Sequence, residues 1–75
     1  MPKAESKQLF VCVKNDGYAA SLETRKIYVA LTDTGARKQK LLRIVDESGE
    51  DYLYPDSFFR SVELPQTVRR AVLAA

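Results

Sequence analysis

Side chains that usually perform catalysis are scarce in this chain of 75 residues. It contains no histidine and a single cysteine, Cys12, so the Ser-His and Cys-His pairs of nucleophilic catalysis cannot form. Zinc, haem and iron–sulfur sites lack ligands for the same reason. Gly17, Gly35 and Gly49 stand apart and make no phosphate-binding loop. We therefore predict that the protein is not an enzyme, holds no metal or cofactor, and has no small-molecule substrate.

Aromatic side chains offer the clearest binding chemistry. Tyr52 and Tyr54 are two positions apart in a predicted strand, so they share one face, and Leu53 is expected to take the core face. Tyrosines on an outer face make a rigid contact surface at a low entropy cost. We predict a protein-binding face, for a protein partner or a second copy of the chain, formed by Tyr18, Tyr52, Tyr54 and Phe58. The alternative is that the core covers one face and a C-terminal helix the other.

A basic segment offers a second chemistry. Four cations lie within residues 37–43: Arg37, Lys38, Lys40 and Arg43. Neighbouring cations give salt-sensitive affinity for phosphates, so the alternative function is that of a nucleic-acid-binding accessory protein. Acidic residues follow directly at 46–51, and the segment lacks aromatic rings on which bases could stack. The other interpretation is a pair of solvated hairpin segments whose opposite charges pair across the loop.

Hydrophobic alternation predicts the elements that must position these side chains. The expected elements are five strands at residues 9–14, 26–32, 40–46, 51–54 and 59–63 and a helix at 66–74. Pro55 ends the fourth strand and starts a 3₁₀ turn, and residues 18–24 predict a loop with one helical turn. Five short strands cannot bury both faces of a flat sheet. We therefore expect a mainly β fold, a small SH3-like five-stranded barrel with the short C-terminal helix over one opening.

One face of each predicted strand is expected to form the core. The expected core residues are Val11, Val13, Ile27, Val29, Leu31, Leu42, Ile44, Leu53, Phe58 and Val62. Residues 32–38 are polar and contain a glycine, which predicts an exposed loop. Gly49 is expected to close the hairpin after the third strand in the left-handed conformation.

Length and composition indicate one small domain. Residues 1–8 are expected to be flexible, and residues 9–75 to form the single barrel domain. The longest apolar stretch, residues 9–13, is too short to span a bilayer, and no apolar signal core precedes it. A single cysteine cannot form an internal disulfide. We expect a cytoplasmic protein that does not associate with membranes.

The order of these motifs resembles that of a known group of proteins. The shared motifs are Asn15-Asp16-Gly17, Leu22 with Lys26-Ile27-Tyr28, Asp46-Glu47-Ser48-Gly49-Glu50, and Tyr54-Pro55-Asp56-Ser57-Phe58-Phe59. In them the chain resembles small uncharacterised bacterial and phage proteins that look like SH3-like β-barrels, and this resemblance implies the fold and a bacterial origin. The segment from Tyr54 to Val62 is also similar to the end of signalling SH3 domains. The chain has no tryptophan, which normally forms one wall of the peptide-binding groove of signalling SH3 domains. Binding of proline-rich peptides is therefore not expected.

Overall fold

The computed structural model describes residues 7–74. Five antiparallel strands form one sheet in the order β4-β3-β2-β1-β5, and a C-terminal helix follows them, so the mainly β prediction is confirmed. The strands are β1 (Lys7–Cys12), β2 (Ile27–Leu31), β3 (Leu41–Val45), β4 (Asp51–Pro55) and β5 (Phe59–Ser61). The helices are α1 (Thr34–Lys38), a 3₁₀ turn (Asp56–Phe58) and α2 (Gln66–Ala74).

The sheet is curled but it is not closed into the predicted barrel. Strands β4 and β5 form its two edges and do not pair with each other. The 3₁₀ turn alone connects them, and its chain spans at most about 14 Å from Pro55 to Phe59. A flat sheet would hold edge strands about 19 Å apart across four strand spacings. The sheet must therefore bend until its edges approach each other at this end.

The inner side of the bend holds the core. Its buried cluster is Phe10, Cys12, Leu22, Tyr28, Ala30, Leu42, Ile44, Tyr54, Phe58 and Phe59. The pairing register of the strands explains why these residues lie together, because it places Phe10 opposite Tyr28 and Ala30 opposite Ile44. Side chains directly opposite each other on neighbouring strands share a face of the sheet.

The predicted core is wrong for most strands. Only Leu42, Ile44 and Phe58 of the expected set are buried. The others are half-buried or exposed: Val11, Val13, Ile27, Val29, Leu31, Leu53 and Val62. Both faces of β1 and β2 are apolar, so alternation cannot decide which face is inside. The inner face takes the rings of Phe10 and Tyr28, which bury the most area, and a shift of one residue reverses the whole face.

Two connections and the C-terminal helix complete the comparison. The predicted helical turn is confirmed, because the Leu22 N–H donates to the Tyr18 carbonyl at 2.9 Å. The loop predicted at 32–38 is instead helix α1, which Asp33 caps by accepting from the Ala36 N–H at 3.0 Å. Helix α2 buries none of its described residues, so it does not seal an opening of the sheet as expected.

Among residues 7–74, no helix is long and apolar enough to cross a membrane.

The β3–β4 hairpin gives the first testable prediction. Gly49 has a φ of +86°, as predicted, whereas Gly35 lies within α1. Gly49→Ala should lower the free energy of unfolding by about 1 kcal/mol, because a Cβ is strained at positive φ. Gly35→Ala is the matched control. Its Cβ would meet only Asp33 Oδ1, at an ordinary 3.6 Å, and alanine favours helix.

Urea unfolding of the two variants checks this prediction. We expect a lower midpoint for Gly49→Ala and an unchanged or higher one for Gly35→Ala. Equal losses at both positions would contradict the assignment of the tight turn to Gly49.

Candidate protein-binding face

Tyr54 lies at the base of the candidate face and points into the core. The register places Tyr54 opposite Leu42 and Tyr52 opposite Ile44, on the same side of the hairpin. The Tyr54 hydroxyl donates to Asp46 Oδ2 at 2.5 Å. Tyr52 and Tyr54 share a face of β4 as predicted. That face lies on the inner side of the sheet, so the prediction that it points outward is wrong.

Asp46 is a buried carboxylate, with 7% of its surface exposed. It accepts hydrogen bonds from the Ser48 N–H at 2.9 Å, from Ser48 Oγ at 2.6 Å and from the Tyr54 hydroxyl. Burial alone would raise the pKa of Asp46 and is the largest single influence. The hydrogen bonds from Ser48 and Tyr54 together outweigh it, so the pKa lies below its ordinary value. The carboxylate is therefore charged and fully engaged at neutral pH.

Tyr18 is fixed against the hairpin and yet remains 41% exposed. Its ring packs edge-to-face on Tyr54, with centroids 5.0 Å apart, and on Phe58 at 6.0 Å. The loop that carries Tyr18 is held by the Glu47 N–H, which donates to the Ser21 carbonyl at 3.1 Å. Ser21 Oγ also lies 3.0 Å from the Tyr54 hydroxyl. These contacts hold an exposed ring in one position.

The exposed part of the surface combines two predicted residues with one that was assigned to the core. Tyr18 and Tyr52 are both open to solvent, Tyr52 at 51%, whereas Tyr54 and Phe58 lie buried beneath them. Leu53, expected in the core, is 41% exposed. A shallow groove of about 400 Å³, which we call the tyrosine face, is lined by Tyr18, Ser21, Asp46, Ser48, Tyr52, Leu53 and Tyr54. None of the described residues of α2 lines it, so that helix does not cover it.

The tyrosine face adjoins an unpaired strand edge. Within residues 7–74, strand β4 pairs only with β3. The Asp46 N–H donates to the Glu50 carbonyl, and the Asp56 N–H donates to the Lys40 carbonyl, both at 3.0 Å. In an antiparallel ladder, alternate residues bond to the neighbouring strand, so the even-numbered positions of β4 face β3. The N–H and C=O of Leu53 therefore point away from β3, toward the free edge.

One of the four cations of the predicted basic segment, Arg43, is paired with carboxylates, whereas Lys38 and Lys40 are exposed. Arg43 pairs with Asp33 Oδ2 at 2.8 Å and with Asp51 Oδ2 at 3.0 Å, so its charge is compensated. The contact with Asp51 is the pairing across the loop that the alternative interpretation expected. Hydrogen bonds from the Ala36 N–H and from Arg43 lower the pKa of Asp33. Arg37 also lines a groove with Arg60 and Arg69, which belong to other elements.

Sequence reasoning missed Asp46 as a structural residue. An aspartate at the start of an acidic run is typical of a solvated turn, and the sequence favours that interpretation for Asp46. One signal was available, since position 46 continues the inward alternation of Leu42 and Ile44. The contribution of Ser21 could not be found, because a loop distant in sequence brings it to the hairpin.

Comparison with family models, with curated proteins and with solved structures finds no match for this chain. Within residues 7–74, no three His, Cys, Asp or Glu side chains lie together in an arrangement that could hold a metal ion. The chemistry of the surfaces themselves must therefore indicate the function.

The buried carboxylate gives the second prediction. Tyr54→Phe removes a hydrogen bond to a buried charge and should lower the free energy of unfolding by at least about 1 kcal/mol. Tyr52→Phe is the matched control, since among the described residues the Tyr52 hydroxyl bonds only to the exposed Glu50 carboxylate, at 3.0 Å. Urea unfolding at pH 7 should separate the two variants. Equal midpoints for Tyr54→Phe and Tyr52→Phe would contradict the role given to the Tyr54 hydroxyl.

The hydrogen bond between Tyr54 and Asp46 also predicts how the stability depends on pH. The pKa of Asp46 is lower in the folded protein, so its stabilising effect is complete above the unfolded pKa of about 4. This stabilisation is lost as the pH falls through the folded pKa. Tyr54→Phe should bring the two pKa values closer and make the acid loss of stability shallower. Unfolding free energies measured from pH 2 to pH 6 check this, and identical slopes for wild type and variant would contradict it.

Proposed function

We propose that the chain is a small non-catalytic interaction module with an SH3-like fold, which binds an extended protein segment at the tyrosine face. The segment belongs to a protein partner or to a second copy of the chain. One observation carries the proposal: two exposed tyrosine rings, of which that of Tyr18 is held by ring contacts, lie beside a strand edge that is unpaired among the described residues. The strand order and the 3₁₀ connection between the edge strands support the SH3-like assignment.

The ring of Tyr18 is suited to binding because little order remains to be imposed on it. Tyr18 is held by two ring contacts, so a partner that covers it restricts few further rotations. Tyrosine also combines a large apolar surface with a polar end, and it is common among the residues that dominate interface energies. Leu53 lies between Tyr52 and Tyr54 on β4. Its side chain points to the opposite face of the strand, and its backbone lies at the edge of the groove.

The free edge supports strand addition as the mode of binding. The Leu53 N–H and C=O are directed at the open side, where a partner strand can pair with them. Pro55 lacks an N–H and Asp51 carries a charge, so the two ends of β4 discourage long, unspecific edge pairing. A short extended segment that places apolar side chains against Tyr18 and Tyr52 fits this edge best.

The competing function, nucleic-acid binding through residues 37–43, is less well supported. The ion pairs of Arg43 compensate one of the four cations of this segment.

A cytoplasmic location is also part of the proposal, and the buried free thiol of Cys12 is consistent with it.

Selection from a random peptide library tests the proposal. Peptides selected on the wild-type protein should bind Tyr18→Ala and Tyr52→Ala at least about tenfold more weakly, which is the usual effect of removing a dominant interface residue. Val68→Ala is the control, because Val68 is an equally exposed apolar residue on α2. Sedimentation equilibrium of the same variants tests whether a second copy is the partner. Peptides that bind all variants equally, together with no self-association, would contradict the proposed face.

The mode of binding has its own test. N-methylation of single peptide amides removes one backbone donor at a time and leaves the side chains unchanged. Strand addition predicts a loss of affinity at alternate positions of the peptide. A uniform or absent effect would show that the side chains alone are recognised.

A further inference from the structure

A second groove, separate from the tyrosine face, is surrounded by cations. It has a volume of about 570 Å³ and shares no lining residue with the tyrosine face. We call it the cationic groove, because four basic side chains from β1, α1, β5 and α2 line it: Lys7, Arg37, Arg60 and Arg69. Sequence patterns do not predict this groove, since its basic residues are up to 62 positions apart.

Within residues 7–74, the groove cations differ from other cations in their ion pairing. Lys14, Lys26 and Arg43 each form an ion pair with a carboxylate. None of the four groove cations forms an ion pair with a carboxylate in the described part of the chain. Asp56 and Glu63 also line the groove, so four positive against two negative charges leave it with a net charge of +2. An anionic ligand would meet unpaired cations there.

Two of the guanidinium groups are already oriented. Arg60 Nη1 donates to the carbonyls of Phe59 at 2.9 Å and Ser57 at 3.2 Å. Arg69 Nη2 donates to the Lys7 carbonyl at 2.5 Å. These acceptors are neutral, so the positive charges remain, and each guanidinium keeps further N–H donors free. A planar donor group fixed in this way matches the oxygens of a phosphate, which it can bind with two hydrogen bonds.

The rest of the groove indicates which part of a ligand is recognised. Its apolar lining includes Phe10, Leu42 and Phe59, which are buried and present no open ring on which a base could stack. Asp56 and Glu63 can accept hydrogen bonds from hydroxyl groups beside a phosphate. A groove of this volume is large enough for one sugar phosphate.

We propose that the cationic groove binds the sugar phosphate of a ribonucleotide, without reading the base. The phosphate is held by Arg37, Arg60 and Arg69. The ligand has two sources, a free nucleotide or the backbone of RNA, and both present the same group. This site does not depend on the tyrosine face or on its proposed partner.

Fluorescence anisotropy with a labelled uridine 12-mer tests the proposal, and AMP serves as a competitor. Arg37→Gln and Arg69→Gln should each weaken RNA binding about tenfold, as expected for the loss of a charged hydrogen bond. Their matched controls are Lys38→Gln and Arg70→Gln, which remove the same charge one residue away and outside the groove. These controls should change affinity less than about twofold. Circular dichroism should show that all four variants remain folded.

The outcomes separate the alternatives. Competition by AMP at millimolar concentration would assign the groove to a free nucleotide, and binding of the 12-mer alone, with a strong dependence on salt, would assign it to RNA. Equal losses of RNA affinity in the groove variants and in their controls would show unspecific attraction by net charge and would overturn the proposal. It would also be overturned if neither probe bound the wild-type protein at low salt.

Discussion

The hydrogen bond from the Tyr54 hydroxyl to the buried Asp46 carboxylate is the interaction on which the tyrosine face depends. A carboxylate can be buried as an ion only when its oxygens are satisfied. Tyr54 and Ser48 meet that requirement, and to do so Tyr54 must turn inward. Leu53 then points outward, because successive side chains of a strand alternate. The same hydroxyl contacts Ser21 and so links the hairpin to the loop that carries Tyr18.

The open sheet connects the fold to both proposed sites. If β4 paired with β5, the Leu53 edge would be occupied and strand addition would be impossible. Because the sheet is curled and left open, β4 keeps a free edge beside the tyrosine face. The 3₁₀ turn and β5 at the other edge bring Asp56 and Arg60 to the cationic groove. The tyrosine face offers rings and backbone donors, whereas the cationic groove offers uncompensated charge, so they are suited to different ligands.

Local signals in the sequence predicted the elements well. Alternation located the five strands, Pro55 marked the end of β4, and Gly49 marked the hairpin. Which face of β1 and β2 is buried could not be predicted, because both faces of these two strands are apolar. The choice depends on contacts between distant residues, such as Tyr54 with Ser21. Helix α1 was missed because Gly35 suggested a loop, although Asp33 is a suitable helix cap.

The two sites also differ in whether local sequence signals or contacts between distant residues form them. Tyr18 and Tyr52 could be predicted as exposed candidates from residue type and spacing. The cationic groove could not, because no motif links Lys7, Arg37, Arg60 and Arg69, and only the curled sheet brings them together.

A double-mutant cycle on Asp46 and Tyr54 tests the central interaction most directly. The free energy of unfolding would be measured at pH 7 for the wild type, Asp46→Asn, Tyr54→Phe and the double variant. We predict that the double variant loses less than the sum of the single losses, with a coupling energy of about 1 kcal/mol or more. Losses that add to within about 0.3 kcal/mol would contradict the dependence of the tyrosine face on this hydrogen bond.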